Sequence, residues 1–202
     1  MTARIIGGNL RDLSYIAANL RPEDFAEVDC QFDSWTPEGL ALSAMQGLAY
    51  VVEWKGNPEA AFGAGEVRSG LWIAWSWGTR RMWRCVPRIT EFHFASLGPE
   101  VAARGAWRVE ARPLAGNDMA IRWLRRMGAT ERCTLPGYGK NGETFLLFDW
   151  TRESWRQVAE NVKEKRPEVV LVTPTSSLSL DLSGGHSDEA DITVSGISTP
   201  VL

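Results

Sequence analysis

The chain has 202 residues, 44% of them hydrophobic and 23% charged, with 22 basic against 25 acidic side chains and a net charge of −3. That length holds one large domain, or one ordinary domain with an extension, and the balance is that of a soluble globular protein. The slight acidity argues against nucleic acid or an anionic membrane as partner, the wide-set Cys30, Cys85 and Cys133 against a disulfide framework or metal half-site, and the lack of any apolar run of ~18 residues against a membrane span.

In chain order, Ala3 to Ile6 reads as an opening strand, and Met1 to Leu10 lacks the pattern of a secretory signal, so synthesis in a reducing cytoplasm is expected. Asn9 or Asp12 caps a helix through Leu20, and Arg21-Pro22-Glu23-Asp24 ends it and opens a second. Thr36-Pro37-Glu38 starts a third through about Gln46. Leu48 to Trp54 and Ala60 to Gly65 form a hairpin about Lys55-Gly56-Asn57-Pro58. Leu71 to Trp77 alternates, with Leu71, Ile73, Trp75 and Trp77 on one face and Trp72, Ala74 and Ser76 on the other, which predicts a third antiparallel strand stopped by Gly78-Thr79.

From Pro87 to Ala103 the helical pattern is broken at Gly98-Pro99. Trp107 to Ala111 is a strand, Asn117 caps a helix from Asp118 to Met127, and Gly128 ends it. Cys133 to Leu135 and Glu143 to Asp149 are a closing strand pair joined by Pro136 to Gly142. Residues 1–150 thus make the domain, 151–166 a C-terminal helix, and 167–202 a Ser/Thr/Gly-rich tail too poor in bulky residues to fold alone. Within the tail, Ala190 to Ile197 alternates as a strand does, so Ile192, Val194 and Ile197 are expected to dock on a partner's sheet edge.

The order of these elements over residues 1–150 resembles the fold of the GCN5-related N-acetyltransferases. The most specific local match is Asn117, Ala120, Trp123, Leu124 and Gly128, at the spacing of that family's Asn, Ala, Leu-Tyr and Gly-Phe pattern. The resemblance implies an α/β (α+β) fold: a mixed, mostly antiparallel sheet flanked by helices, with the extended tail added. It places the family's general-acid tyrosine at Leu124, which has no proton to give. It places the glycine-rich loop that cradles the cofactor pyrophosphate at Gly78-Thr79-Arg80-Arg81-Met82-Trp83-Arg84-Cys85. One glycine remains there, and Met82 and Trp83 stand where backbone must approach phosphate, so the cradle is expected to be filled.

Read as an enzyme, the chain offers Glu53 and Glu66, on or beside the hairpin, as bases. Gly78, Thr79, Arg80, Arg81, Arg84 and Asn117 would then hold acetyl-CoA, with Arg88 adding charge. Edge carboxylates and surface arginines have plain structural uses, and these outweigh the catalytic reading. Glu91 and His93, two apart on a helix, face different ways. Tyr138, between two glycines, reads as an interface anchor. No metal site is expected.

The run Leu13 to Pro22, the Trp-rich strand ending in Gly78-Thr79 and the Asn117 helix make the whole chain similar to acetyltransferase-like virion proteins of short-tailed bacteriophages. That resemblance implies a non-catalytic tail or internal component of the particle, without cofactor, held by its tail to other virion proteins in multiple copies. The alternatives are an active N-acetyltransferase using acetyl-CoA, and a host-directed binding protein delivered at infection.

Overall fold

Helix entry is set by side chains that take up first-turn amides. In a computed structural model, which describes residues 3–154, Asn9 accepts the Asp12 amide at 3.0 Å to open α1 (Leu10–Ala18). Thr36 accepts Gly39 N at 3.0 Å to open α3 (Pro37–Ala44), and Asn117 accepts Ala120 N at 3.2 Å to open α6 (Asp118–Arg126). Between the first two, α2 (Pro22–Gln31) begins on its proline and relies on Glu23 and Asp24 in the first turn. Residues 152–154 begin a helix; the remainder of the helix expected to 166, and the tail with Ile192, Val194 and Ile197, lie outside the described residues.

Seven strands form one sheet in the order β1-β2-β3-β4-β5-β7-β6: β1 (Arg4–Gly7), β2 (Leu48–Trp54), β3 (Asn57–Arg68), β4 (Leu71–Gly78), β5 (Arg108–Ala111), β6 (Thr130–Leu135) and β7 (Phe145–Thr151). All neighbours are antiparallel except β4 and β5. The hairpin turn is tighter than the sequence suggests, because Lys55 (φ 54°) and Gly56 (φ 79°) both adopt the left-handed conformation that suits a two-residue connection. Asn57 and Pro58 therefore join β3, which runs on to Arg68. The register shifts where Val52 meets Ala60 but Glu53 meets Pro58, leaving Glu59 as an extra residue opposite no partner.

β4 and β5 pair only from Leu71 to Ile73. The C-terminal half of β4 has no partner on that side, and a wedge opens there. One face of the sheet packs Trp72, Phe148, Trp150, Leu124 and Val101 under the later helices. The other packs Val51, Ala61 and Trp77 against Leu13, Ile16, Val28 and Leu40 of α1–α3. Trp72, Trp77 and Trp150 are thus core, at 4% exposure or less.

The β4–β5 crossover contains a 3-10 turn (Met82–Arg84), α4 (Val86–Phe92), a π-helical turn (His93–Leu97) and α5 (Gly98–Ala103). The break expected at Gly98-Pro99 is realised upstream of the proline. Pro99 has no N–H to give, and Gly98 N reaches five residues back to His93 O, so the chain widens rather than stops.

A wedge between the splayed strands and a closed turn beside it

Between α2, β4, β5 and α6 lies a cavity of about 110 Å³. Its polar wall includes Arg21, Asp24, Glu27, His93, Arg112 and Asn117, and its apolar wall includes Trp75 and Trp77. The start of α2 is clasped to the end of β4: Gly78 N donates to Asp24 at 2.8 Å, Arg21 N donates to Gly78 O at 2.9 Å, and the Arg21 guanidinium lies 2.7 Å from Asp24. Burial pushes the Asp24 carboxyl up, against the lowering effect of Arg21 and Gly78.

One turn along α2, Glu27 Oε2 accepts both Leu114 N and Asn117 Nδ2, each at 3.0 Å. Part of the residue's surface reaches solvent, but its carboxyl is enclosed deeply enough that burial outweighs those two bonds and pushes it up to about 7. His93, on the π-helical turn, packs its ring 5.2 Å from Trp150, and burial pushes it down to about 4. At neutral pH the wedge therefore holds a neutral imidazole and a carboxyl close to half protonated.

The turn after β4 is built differently. A Cβ on Gly78 would lie 2.7 Å from both Glu59 O and Met82 Cβ, so the buried Met82 occupies the space beside the glycine. Five amides of this turn are used within the chain. Thr79 N donates to Glu59 O, Arg81 N to Thr79 Oγ1, Met82 N to Thr79 O, Arg84 N to Arg81 O and Cys85 N to Met82 O. The Glu59 carboxylate, 4% exposed, takes the Thr79 hydroxyl and the Arg81 guanidinium at 3.1 Å. Five backbone amides, the Thr79 hydroxyl and the Arg81 guanidinium of this turn are thus satisfied from within the chain, and Met82 stands where a pyrophosphate would approach Gly78. Trp83, expected to help fill the cradle, instead stands 56% exposed, because the 3-10 turn sends neighbouring side chains apart and buries only Met82.

The wedge does not gather the bases expected from the sequence. Glu53 lies 4.0 Å from Arg4, and Glu66 accepts Gly70 N at the β3–β4 turn; neither lines the cavity. Asn117 does line it, and caps α6 as the motif suggests. Leu124 is buried and packs against the same space. Arg80, Arg81, Arg84 and Arg88 lie on the outer side of the closed turn, with Arg81 and Arg88 paired to Glu59 and Glu91. Tyr138 accepts Arg112 at 2.7 Å and packs on Phe145, its ring 5.1 Å away. Sequence reasoning missed Arg21, Asp24 and Glu27. The available signal was two carboxylates three apart on α2, in the stripe that also carries Val28. Among the described residues no helix is long and apolar enough to cross a membrane, and no cluster of three or more His, Cys, Asp or Glu is placed to hold a metal ion.

No protein-family model matches the chain, and no curated protein does. Solved structures do match. Ard1 of Thermoplasma volcanium shares 14% identity at a TM-score of 0.57, over 75% of this chain and 98% of that one. The ribosomal-protein-S18-alanine N-acetyltransferase of Escherichia coli shares 17% at 0.53, over 74% and 94%. AAC(6')-Ib, solved with ribostamycin and coenzyme A, shares 13% at 0.57, over 78% and 97%. The seven-stranded, mostly antiparallel sheet flanked by helices is the fold of these acetyltransferases, as the sequence resemblance implies.

Proposed function

On this acetyltransferase scaffold we propose a non-catalytic module: a domain that keeps the wedge of the fold while its phosphate cradle serves the chain's own packing. The observation that carries this is the turn after β4, where five amides are taken by Thr79, Glu59 and preceding carbonyls while Met82 covers Gly78. The resemblance of the whole sequence to virion proteins of short-tailed phages supports a structural place in such a particle, in multiple copies, with the tail after residue 167 tying the domain to a neighbouring protein. Calorimetric titration of the full chain with acetyl-CoA tests the core of the proposal. The expected result is no heat at cofactor concentrations up to about 1 mM; tight binding, weakened by Arg80→Ala with Arg81→Ala, overturns it.

One observation favours a second reading, an N-acetyltransferase that holds its cofactor by some route other than the amide cradle. Glu27 stands in the wedge with a carboxyl near neutrality, where a proton acceptor for an amine is useful. Under that reading Glu27 takes the place of Glu53 and Glu66. Turnover of acetyl-CoA with any amine, abolished in Glu27→Gln, would put this reading ahead of the first.

A further inference from the structure

Residues 1–154 carry equal numbers of basic and acidic side chains, so the net charge of −3 arises wholly beyond them. Residues 167–202 contain Glu168, Asp181, Asp188, Glu189 and Asp191, and no lysine or arginine. The outer side of the closed turn is its electrostatic counterpart. Arg80 is exposed, and Arg84 stacks its guanidinium 4.3 Å from the Trp83 ring and 5.7 Å from that of Trp54. Arg81 and Arg88 are compensated by Glu59 and Glu91, but Arg80 and Arg84 enter no ion pair among the described residues. Two uncompensated guanidinium groups beside an indole that is 56% exposed form a surface for an anion with an apolar flank.

We propose that in the free chain the acidic C-terminal segment around residues 188–194 docks on this face of its own domain. Asp188, Glu189 and Asp191 meet Arg80 and Arg84, and the adjoining Ile192 and Val194 cover Trp83 and Trp54. The pairing follows from charge: the face is locally cationic, residues 167–202 carry acidic side chains and no basic ones, and Asp191 sits directly beside the β-branched Ile192. Reach is not limiting. Thirty-three residues lie between Ser154 and Asp188, a contour of roughly 110 Å, against a radius of ~17 Å for a compact chain of this length. The tether holds the segment at an effective concentration on the order of millimolar, so a weak site suffices. The docking does not depend on whether the domain binds a cofactor.

Small-angle scattering of the full chain, with mass measured in parallel, provides the test. At low salt the wild type should be monomeric with a radius of gyration near ~17 Å, expanding by about 3 Å or more above ~0.5 M salt as the charges are screened. Arg80→Glu with Arg84→Glu should produce the same expansion at low salt. So should Asp188→Lys with Glu189→Lys and Asp191→Lys, a change outside residues 3–154 that removes only the stability the docking itself contributes. Combining the two reversals should restore the compact form. A wild type already expanded at low salt, reversals without effect, a combination that stays expanded, or compaction only in a species of twice the mass would each overturn docking within one chain.

Discussion

Glu27→Gln isolates the electrostatics of the wedge. Burial moves this carboxyl from an ordinary 4.5 to about 7, and each unit is worth about 1.4 kcal/mol. A carboxyl that holds its proton more tightly when folded loses stability on ionising. The cost is absent below about pH 4.5, grows through the interval to 7 and is constant above it, at up to about 3 kcal/mol. His93 opposes it. Its fall from 6.5 to about 4 means the folded state rejects a proton that the unfolded chain accepts, so stability is lost as pH falls from 6.5 towards 4, again by up to about 3 kcal/mol. The two slopes cancel between pH 4.5 and 6.5. Glutamine keeps an acceptor for Leu114 N and Asn117 Nδ2 while removing the charge. The variant should gain up to about 3 kcal/mol over wild type at pH 8, match it at pH 4.5, and show the bare histidine slope between. Urea unfolding followed by tryptophan fluorescence across pH 4.5–8 reads the difference, in which unrelated titrations cancel. A constant offset between the two proteins, or a loss at pH 8, would refute the assignment of a near-neutral carboxyl to Glu27.

Three further outcomes follow from the same geometry. Gly78→Ala forces a Cβ to within 2.7 Å of Glu59 O and Met82 Cβ and should cost about 1–3 kcal/mol in urea unfolding, because both neighbours are buried and one is backbone. Glu59→Gln removes the charge that holds the Thr79 hydroxyl and Arg81; it should lower stability by about 1–2 kcal/mol and still give no acetyl-CoA heat, since Met82 and the satisfied amides remain. Asp149→Ala strips the buried carboxylate shared by Arg132 (2.7 Å) and Arg108 (3.0 Å) and should cost about 2–3 kcal/mol by thermal unfolding, both arginines being partly exposed and able to rehydrate.

The elements were legible wherever local chemistry decides them. Asn9, Thr36 and Asn117 cap the helices they were expected to cap, and Gly128 ends α6 at φ 77°. The alternation of β4 placed Trp77 and Trp72 on opposite faces, as the two cores show. The extent of β3 was not legible, because Pro58 suggests a turn residue, whereas it enters the strand beyond the last β4 pair at Ala60 and beside the bulge at Glu59. The site was legible in part. Met82 fills the space beside Gly78 as its place in the motif suggests, while Trp83 does not, and the part of Glu59 was not legible because nothing local ties residue 59 to residues 79 and 81. Glu27 and His93 escaped because their importance comes from burial, which depends on how α2 and the π-helical turn close over the wedge.

The wedge and the turn are consequences of different residues, which explains how one can persist while the other closes. β4 and β5 separate because parallel pairing stops at Ile73 and Glu110, and the start of α2 then fills part of the gap by bonding to Gly78 through Asp24 and Arg21. The turn closes because the β3 bulge brings Glu59 beneath Thr79 and Arg81, and because the 3-10 turn folds Met82 over Gly78. Both arrangements meet at Gly78, whose N–H is held from the α2 side and whose Cα is covered from the Met82 side. Opening the cradle would require moving the strand end that anchors α2. That movement would carry Asp24 out of place and disturb Glu27 one turn away, so the closed turn is part of what holds the wedge in shape.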